Sequence, residues 1–250
     1  MNPVYLIGAG PGAADLLTLR AAKILAERAE VVLADDLVSA EVLAMVRPQA
    51  RILKVGKRGG RASTPQAFIE RLMLRYARQG CCVVRLKGGD PFLFGRGGEE
   101  MLSLRAAGFA VEVVNGLTAG IAVPATLGIP VTHRGLAAGV TFVTARAGSQ
   151  GSAEPDWAAL ARTGTTLVIY MGLARLPEIS AALQAAGLSG ATPAAVIAHG
   201  SLPSQREVTG RLDGIAQAAR AAALPAPALI VIGAVAALAA PRQELLRHAA

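Results

Sequence analysis

The chain reads as an α/β protein built from two α/β domains, and three observations predict this. First, 53% of its 250 residues are hydrophobic but only 4% are aromatic, a balance that suits buried parallel strands flanked by alanine-rich helices. Second, from residue 1 to about 114, short β-branched runs alternate with longer stretches of helical apolar spacing, which is the pattern of a parallel sheet with helices on its faces. Third, glycine-rich loops follow several of the strand-like runs, where open α/β sheets bind ligands. A chain of this length fits one large domain or two small ones. Asn115-Gly116 interrupts the alternation. A hinge is therefore expected near residue 115, with domains over 1–114 and 115–250.

The elements follow in order. Strands are expected at Val4–Ile7, Val31–Ala34, Arg51–Val55, Cys82–Leu86 and Ala110–Val114, each a short apolar run bounded by turn residues. Helices are expected at Leu16–Arg28, Ser39–Val46, Pro65–Gln79 and Gly97–Ala107. Thr64-Pro65 supplies a start signal, an N-cap residue followed by proline in the first turn. Helical spacing resumes at Leu117–Leu127. The second half reads differently, with strands at Val140–Thr144, Thr166–Tyr170, Ala194–Ala198, Glu207–Thr209 and Ala228–Ile232 and helices at Ala174–Ala186 and Leu212–Ala223. Leu224–Ala240 is apolar, but it is short for a membrane span and Pro225, Pro227 and Gly233 interrupt it. A core strand is the better reading.

Charge narrows the partners. The formal net charge is +8, from 25 Lys and Arg against 17 Asp and Glu, which favours nucleic acid, an anionic surface or a polyanionic small molecule. The basic residues are dispersed and aromatic residues for base stacking are scarce, so neither nucleic acid nor membrane is the expected partner. Cys81 and Cys82 are the only cysteines. Sequence neighbours rarely form a disulfide, and no Cys/His cluster has metal-site spacing, so no metal is expected. A reducing cytoplasm fits, as does the lack of a basic segment preceding a cleavable apolar run.

Chemistry concentrates in six loop segments. Arg85–Glu100 (RLKGGDPFLFGRGGEE) holds five glycines, and glycine lets a backbone come close to a ligand. Within it, Asp90 is placed to accept hydrogen bonds from a ribose, and Arg96 and Glu99 are three apart at a helix start, where their side chains meet. Gly8-Ala9-Gly10-Pro11-Gly12-Ala13 satisfies G-x-G-x-x-[G/A], with Asp35-Asp36 ending the second strand. That is compatible with a dinucleotide site or with a plain strand–helix turn, although Pro11 removes an N–H that a pyrophosphate would use. Val55–Arg61 (VGKRGGR) is either a solvated basic loop or an anion site. Gly128–Arg134 (GIPVTHR) carries His133, a structural or a functional histidine. Tyr170-Met171-Gly172 and His199-Gly200-Ser201 end two strands of the second half, where Met171 is either core or a thioether beside a ligand.

Together these segments resemble the uroporphyrinogen-III C-methyltransferases of the tetrapyrrole (class III) methyltransferase superfamily. The similarity is carried by VYLIGAGPG at Val4–Gly12, LLTLR at Leu16–Arg20, DLVS at Asp36–Ser39 and VGKRGG at Val55–Gly60. VVRLKGGDPFLFGRGGEE at Val83–Glu100, GIPVTHR at Gly128–Arg134, YMGL at Tyr170–Leu173 and PALIVIG at Pro227–Gly233 complete it. It runs through nearly the whole chain in one order, and the Val83–Glu100 block is its most specific part.

The resemblance implies two α/β domains with S-adenosylmethionine in the cleft between them, a homodimer, and no metal. It implies two methyl transfers to uroporphyrinogen III, giving precorrin-2 for cobalamin, sirohaem or haem d1 synthesis, with S-adenosylhomocysteine as the second product. The eight carboxyl groups of that tetrapyrrole suit the basic surplus, and the resemblance overrules the dinucleotide reading. By position, cofactor contacts fall on Pro11, Gly88, Gly89, Asp90, Leu93, Thr118, Ala119, Met171 and Gly200. Acid–base roles fall on Asp35 and Lys57, while Arg96 and Glu99 match residues that hold or deprotonate the substrate. The chain also departs from the family pattern. Asp36 stands where an arginine is usual, Thr144-Ala145-Arg146 replaces threonine-glycine-histidine, and Ala13 replaces an aspartate. Two adjacent carboxylates, Asp35 and Asp36, would raise one pKa if both faced the cleft. Loss of the cation also leaves a non-catalytic tetrapyrrole-binding protein as the cross-class alternative, and a methylase acting on a later corrin intermediate as the nearest enzyme alternative.

Overall fold

The computed structural model describes residues 2–56, 64–145 and 154–240. The chain forms two compact units, Met1–Thr118 and Ala119–Ala250.

The first unit alternates strand and helix: β1 (Val4–Gly8), α1 (Leu19–Glu27), β2 (Val31–Ala34), α2 (Ala40–Ala44), β3 (Arg51–Lys54), α3 (Gln66–Arg78), β4 (Val83–Lys87), α4 (Gly97–Ala106) and β5 (Val111–Val114). All pairings are parallel, in the order β3-β2-β4-β1-β5. The expected strand matches at β2, is shifted by one residue at both ends for β4, and differs by one residue at one end for the other three. The helix starts are set by side-chain caps: Thr18 accepts from the Ala21 N–H and Ser39 from the Val42 N–H, satisfying first-turn donors that have no partner within the helix. The expected start at Leu16 is therefore too early, because Ala14–Leu16 is a separate 3₁₀ turn and Thr18 is extended.

Side chains along each strand alternate between two buried layers, as period-two geometry demands. Tyr5, Ile7, Val32, Ala34, Val84 and Leu86 pack with Ala21, Ile24, Leu25 and Val42 of α1 and α2. Val4, Leu6, Val31, Leu33 and Val83 pack with Ile69, Met73 and Leu104 of α3 and α4. Burial on both faces explains why these strands read as continuous apolar runs. Strand β4 is central, and its alternation sends Arg85 and Lys87 toward the α3/α4 side. In register, Gly8 lies beside Lys87 and Ala34 beside Leu86, so the strand ends are level at the carboxyl edge.

The second unit comprises α5 (Ala119–Ala125), β6 (Val140–Thr144), α6 (Trp157–Ala161), β7 (Thr166–Tyr170), α7 (Leu176–Ala185), β8 (Pro193–Ala198), β9 (Arg206–Arg211), α8 (Ile215–Ala221) and β10 (Ala228–Ile232). Its sheet has the order β6-β7-β10-β8-β9. Only β6–β7 is parallel; β10 runs antiparallel to both β7 and β8, and β8 antiparallel to β9. Strands β6, β7 and β8 therefore share a direction. Short α6 was not expected from the sequence. Its Asp156 cap accepts from the Ala159 N–H, a signal too brief to separate from a turn. The expected helix over Ala174–Ala186 begins as a 3₁₀ turn at Leu173–Arg175 and becomes α-helical at Leu176, with Pro177 in the first turn. Leu224–Ala240 resolves into β10 and a 3₁₀ turn at Ala234–Leu238. Among the described residues no helix is long and apolar enough to cross a membrane.

Candidate active site

In the first unit the motif loops meet at the carboxyl edge of the sheet. Gly10 and Gly89 form an isolated two-way bridge: the Gly89 N–H donates to the Gly10 carbonyl at 2.7 Å, and the Gly10 N–H to the Gly89 carbonyl at 3.2 Å. The Ala9 N–H donates to the Lys87 carbonyl at 2.7 Å. A Cβ on Gly8 would lie 2.5 Å from the Gly116 nitrogen and from the Gly89 oxygen, and one on Gly116 would lie 2.3 Å from that same oxygen. The first glycine motif thus closes three loops onto one another, which is a use for its glycines that needs no pyrophosphate. Gly89 has φ +70° and would meet nothing within 4 Å, so its outer side is open to a ligand. Pro11, half-buried, follows the bridge directly.

Asp90 organises the opening loop. One carboxylate oxygen accepts from the Phe92 N–H at 2.8 Å. The other accepts from Asn115 Nδ2 at 3.1 Å and the Gly116 N–H at 3.2 Å. Each carboxylate oxygen accepts two hydrogen bonds, so the first oxygen retains capacity for a hydroxyl. Leu93, half-buried, sits one turn on, its N–H directed at the Asp90 carbonyl. Thr118 ends the segment that Asp90 anchors.

Asp35 and Asp36 diverge. The Asp35 carboxylate accepts from the Gly88 N–H at 3.1 and 3.2 Å and from the Leu37 N–H at 3.1 Å, bracing the β2 and β4 loops. Exposed Asp36 turns instead toward Gly56, where an added Cβ would lie 2.2 Å from its carboxyl carbon. The two carboxylates thus lie against different loops. Lys57 lies outside the described residues, as do Arg58–Arg61 and Arg146.

Arg96 caps α4 with φ +60°. Its Nε donates to both Glu99 oxygens, at 3.0 and 3.1 Å, and the expected i,i+3 pair forms with both side chains more than half exposed. The Arg96 hydrogen bond holds Glu99 below the usual carboxylate range. Phe94 also adopts positive φ. Such backbone is costly for residues with a Cβ and concentrates at functional sites.

Beneath this loop lies a cluster that the sequence reading did not single out. Glu100 is fully buried, and Arg85 and Lys87 are nearly so. Glu100 accepts from Arg85 Nε and Gln66 Nε2, each at 3.0 Å, and pairs with the Lys87 ammonium at 3.0 Å. Arg85 also donates to the Leu33 and Leu86 carbonyls. Burial opposes the Glu100 charge, but attraction from Arg85 and then Lys87 outweighs it and lowers its pKa. Burial, and then repulsion from Arg85, lowers that of Lys87 despite Glu100. The available signal was the i, i+2 spacing of two cations inside an otherwise apolar strand.

In the second unit three candidate residues share one edge. Met171 follows β7 and Gly200 follows β8, and the ends of these two strands flank the start of β10: Tyr170 is opposite Leu229 and Ala198 opposite Ala228. Ala119 opens α5, whose Gly120 N–H donates to the Tyr170 hydroxyl. A Cβ on Gly200 would lie 2.3 Å from Val123 Cγ1 of the same helix. Met171 is 47% exposed with φ +55°, and His199 and Ser201 flank Gly200 with φ +50° and +67°. The Met171 thioether therefore faces outward, not into the core. His133 is exposed, with Nδ1 2.8 Å from the Arg134 carbonyl in a local turn. Among the described residues no group of His, Cys, Asp and Glu side chains is arranged to hold a metal, and both cysteines are free.

The chain belongs to the Tetrapyrrole (Corrin/Porphyrin) Methylases, which it matches over residues 3–216. It is 53% identical over 230 residues to the uroporphyrinogen-III C-methyltransferase of Pseudomonas aeruginosa, covering 92% of each chain. It is also similar to the uroporphyrin-III C-methyltransferase of Thermus thermophilus solved with S-adenosyl homocysteine, at 42% identity and a TM-score of 0.80, covering 94% of this chain and 93% of that one. A cobalt precorrin-4 methyltransferase structure aligns with a TM-score of 0.83 at 29% identity, covering 93% and 95%.

Proposed function

We propose that this protein is an S-adenosylmethionine-dependent uroporphyrinogen-III C-methyltransferase that adds two methyl groups to give precorrin-2. The observation that carries the reading is the Asp90-clamped Gly88–Leu93 loop at the carboxyl edge of a central strand, within a chain so similar to enzymes of that name. The residues fit the cofactor. Gly89 offers an open backbone rim beside Gly88 and Pro11, Asp90 retains hydroxyl-accepting capacity, and Met171 presents a polarizable thioether. Leu93, Thr118, Ala119 and Gly200 complete the assigned contacts. Bound S-adenosylmethionine supplies an electrophilic sulfonium methyl.

The protein aligns a pyrrole carbon with that methyl and excludes water. Arg96, fixed by Glu99, presents its remaining guanidinium donors to a substrate carboxylate, where a planar fork engages both oxygens. A base then removes the ring proton. Asp35 and Lys57 are the assigned acid–base pair; Asp35 already accepts three N–H contacts, which favours Lys57 or Glu99 for proton removal. The reading also includes a homodimer in the cytoplasm with no nucleic-acid or membrane partner.

Incubation with S-adenosylmethionine and uroporphyrinogen III should give a product two methyl groups heavier by mass spectrometry. No product and no S-adenosylhomocysteine binding by calorimetry would sink the reading. A later-corrin methylase is the second reading, because the cobalt precorrin-4 enzyme matches the fold equally well; competition between the two substrates separates them.

A further inference from the structure

We propose that Lys87 is a further positioning residue of this site: its ammonium, paired with buried Glu100, closes the base of the Gly88–Gly97 loop and so fixes Arg96 and Glu99 for the substrate. The proposal rests on the assignment of that loop to cofactor and substrate. Lys87 is the last residue of β4 and Glu100 lies in the first turn of α4, so their 3.0 Å pair joins the two ends of the loop. The Lys87 stem also runs under the loop, since a Cβ on Gly95 would lie 3.3 Å from Lys87 Cε. Two further contacts tighten the same turn: the Gly97 N–H donates to the Pro91 carbonyl at 3.0 Å, and the Glu100 N–H to the Arg96 carbonyl at 3.2 Å. The strained Phe94 and Arg96 backbones sit in the segment that this pair spans, and strain persists only where surrounding contacts over-determine it.

Charge balance alone does not account for Lys87, since Arg85 already neutralises Glu100. Arg85 and Gln66 both donate to Oε1 of Glu100, and the Lys87 ammonium is the partner of Oε2, so two buried cations share one carboxylate. The fold disfavours the charged Lys87, as its lowered pKa records. The sign follows from linkage: the unfolded chain binds the proton more tightly, so the charged group opposes folding at neutral pH and the opposition fades as pH rises toward the ordinary lysine value. A cation kept at that site, on the oxygen that Arg85 and Gln66 leave open, ties the two ends of the loop. The charged groups facing it are Arg85 on β4, Glu100 and Glu99 on α4, and Asp35 after β2.

The test compares wild type with Lys87→Met. The expected result is a folded variant with retained S-adenosylhomocysteine binding by calorimetry and at least a tenfold fall in kcat/KM for uroporphyrinogen III. The wild-type kcat/KM should fall on an alkaline limb below the ordinary lysine value, and the variant should lack that limb. Lys87→Gln, which keeps a donor to Glu100 without the charge, should recover part of the loss. Wild-type kinetics in Lys87→Met would overturn the proposal. So would loss of cofactor binding together with a lowered Tm, which would make the pair a core contact only. If Lys87→Met does not fold, the wild-type profile decides: no alkaline limb refutes it. If wild type itself shows no turnover or cofactor binding, the failure belongs to the underlying assignment.

Discussion

Glu100→Gln tests the buried cluster from its acidic side. The substitution preserves shape and one carbonyl oxygen but removes the carboxylate that serves both Arg85 and Lys87. Breaking a buried pair by deleting one partner costs about 3–5 kcal/mol, because the other charge stays buried and uncompensated. Lys87 can relax by releasing its proton, which its lowered pKa makes easier; Arg85 cannot. The expected loss is therefore at the lower end, about 3 kcal/mol. With an unfolding entropy of roughly 2.1 cal/mol/K per residue, the Tm should fall by about 12 °C if the 118-residue first unit unfolds alone. It should fall by about 6 °C if the whole chain unfolds together. Scanning calorimetry at pH 7 reads both the shift and the number of transitions.

Acid unfolding supplies a second check on the same variant. Glu100 has a depressed folded pKa, so its contribution is present above the unfolded value of about 4.3 and is lost as pH falls through the folded one. The gap between wild type and Glu100→Gln should narrow below about pH 4. A loss under about 1 kcal/mol at pH 7, or a gap independent of pH, would refute the charge argument.

Other expectations are direct. Asp90→Ala should raise the S-adenosylhomocysteine dissociation constant at least tenfold by calorimetry, since it frees the Phe92, Asn115 and Gly116 donors together; unchanged affinity would contradict the site. Gly116→Ala should cost about 2–3 kcal/mol in urea unfolding, because its Cβ meets the Gly89 carbonyl at 2.3 Å. Arg96→Ala should leave Tm within about 2 °C, as an exposed pair contributes little, yet lower kcat/KM for the tetrapyrrole; unchanged kinetics would remove Arg96 from the substrate site. Asp36→Arg should lower the KM for uroporphyrinogen III by restoring a cation at the family position, and an unchanged KM would show that this departure is neutral.

The sequence by itself determined what local sterics and periodicity control. Strands β1, β2 and β4, buried on both faces, announced themselves as short runs rich in valine and leucine, with edge strands β3 and β5 beside them and the glycine loops as breaks, so the first sheet and its carboxyl-edge loops were legible. The ordered motifs also placed Pro11, Gly88–Leu93, Met171 and Gly200 in their loops. What tertiary structure decided were the partners. Nothing local says that the Asp90 oxygens are taken by Phe92, Asn115 and Gly116, that Asp35 and Asp36 turn toward different loops, or that β10 runs antiparallel between β7 and β8. The Arg85–Lys87–Glu100 cluster is the clearest case. A charged residue in a strand reads as an exposed face until a helix from beyond the loop delivers its counter-charge, and only the packing of α4 and α3 on the central strand brings Glu100 and Gln66 there. Burial energetics depend on that three-dimensional neighbour, which sequence distance does not encode.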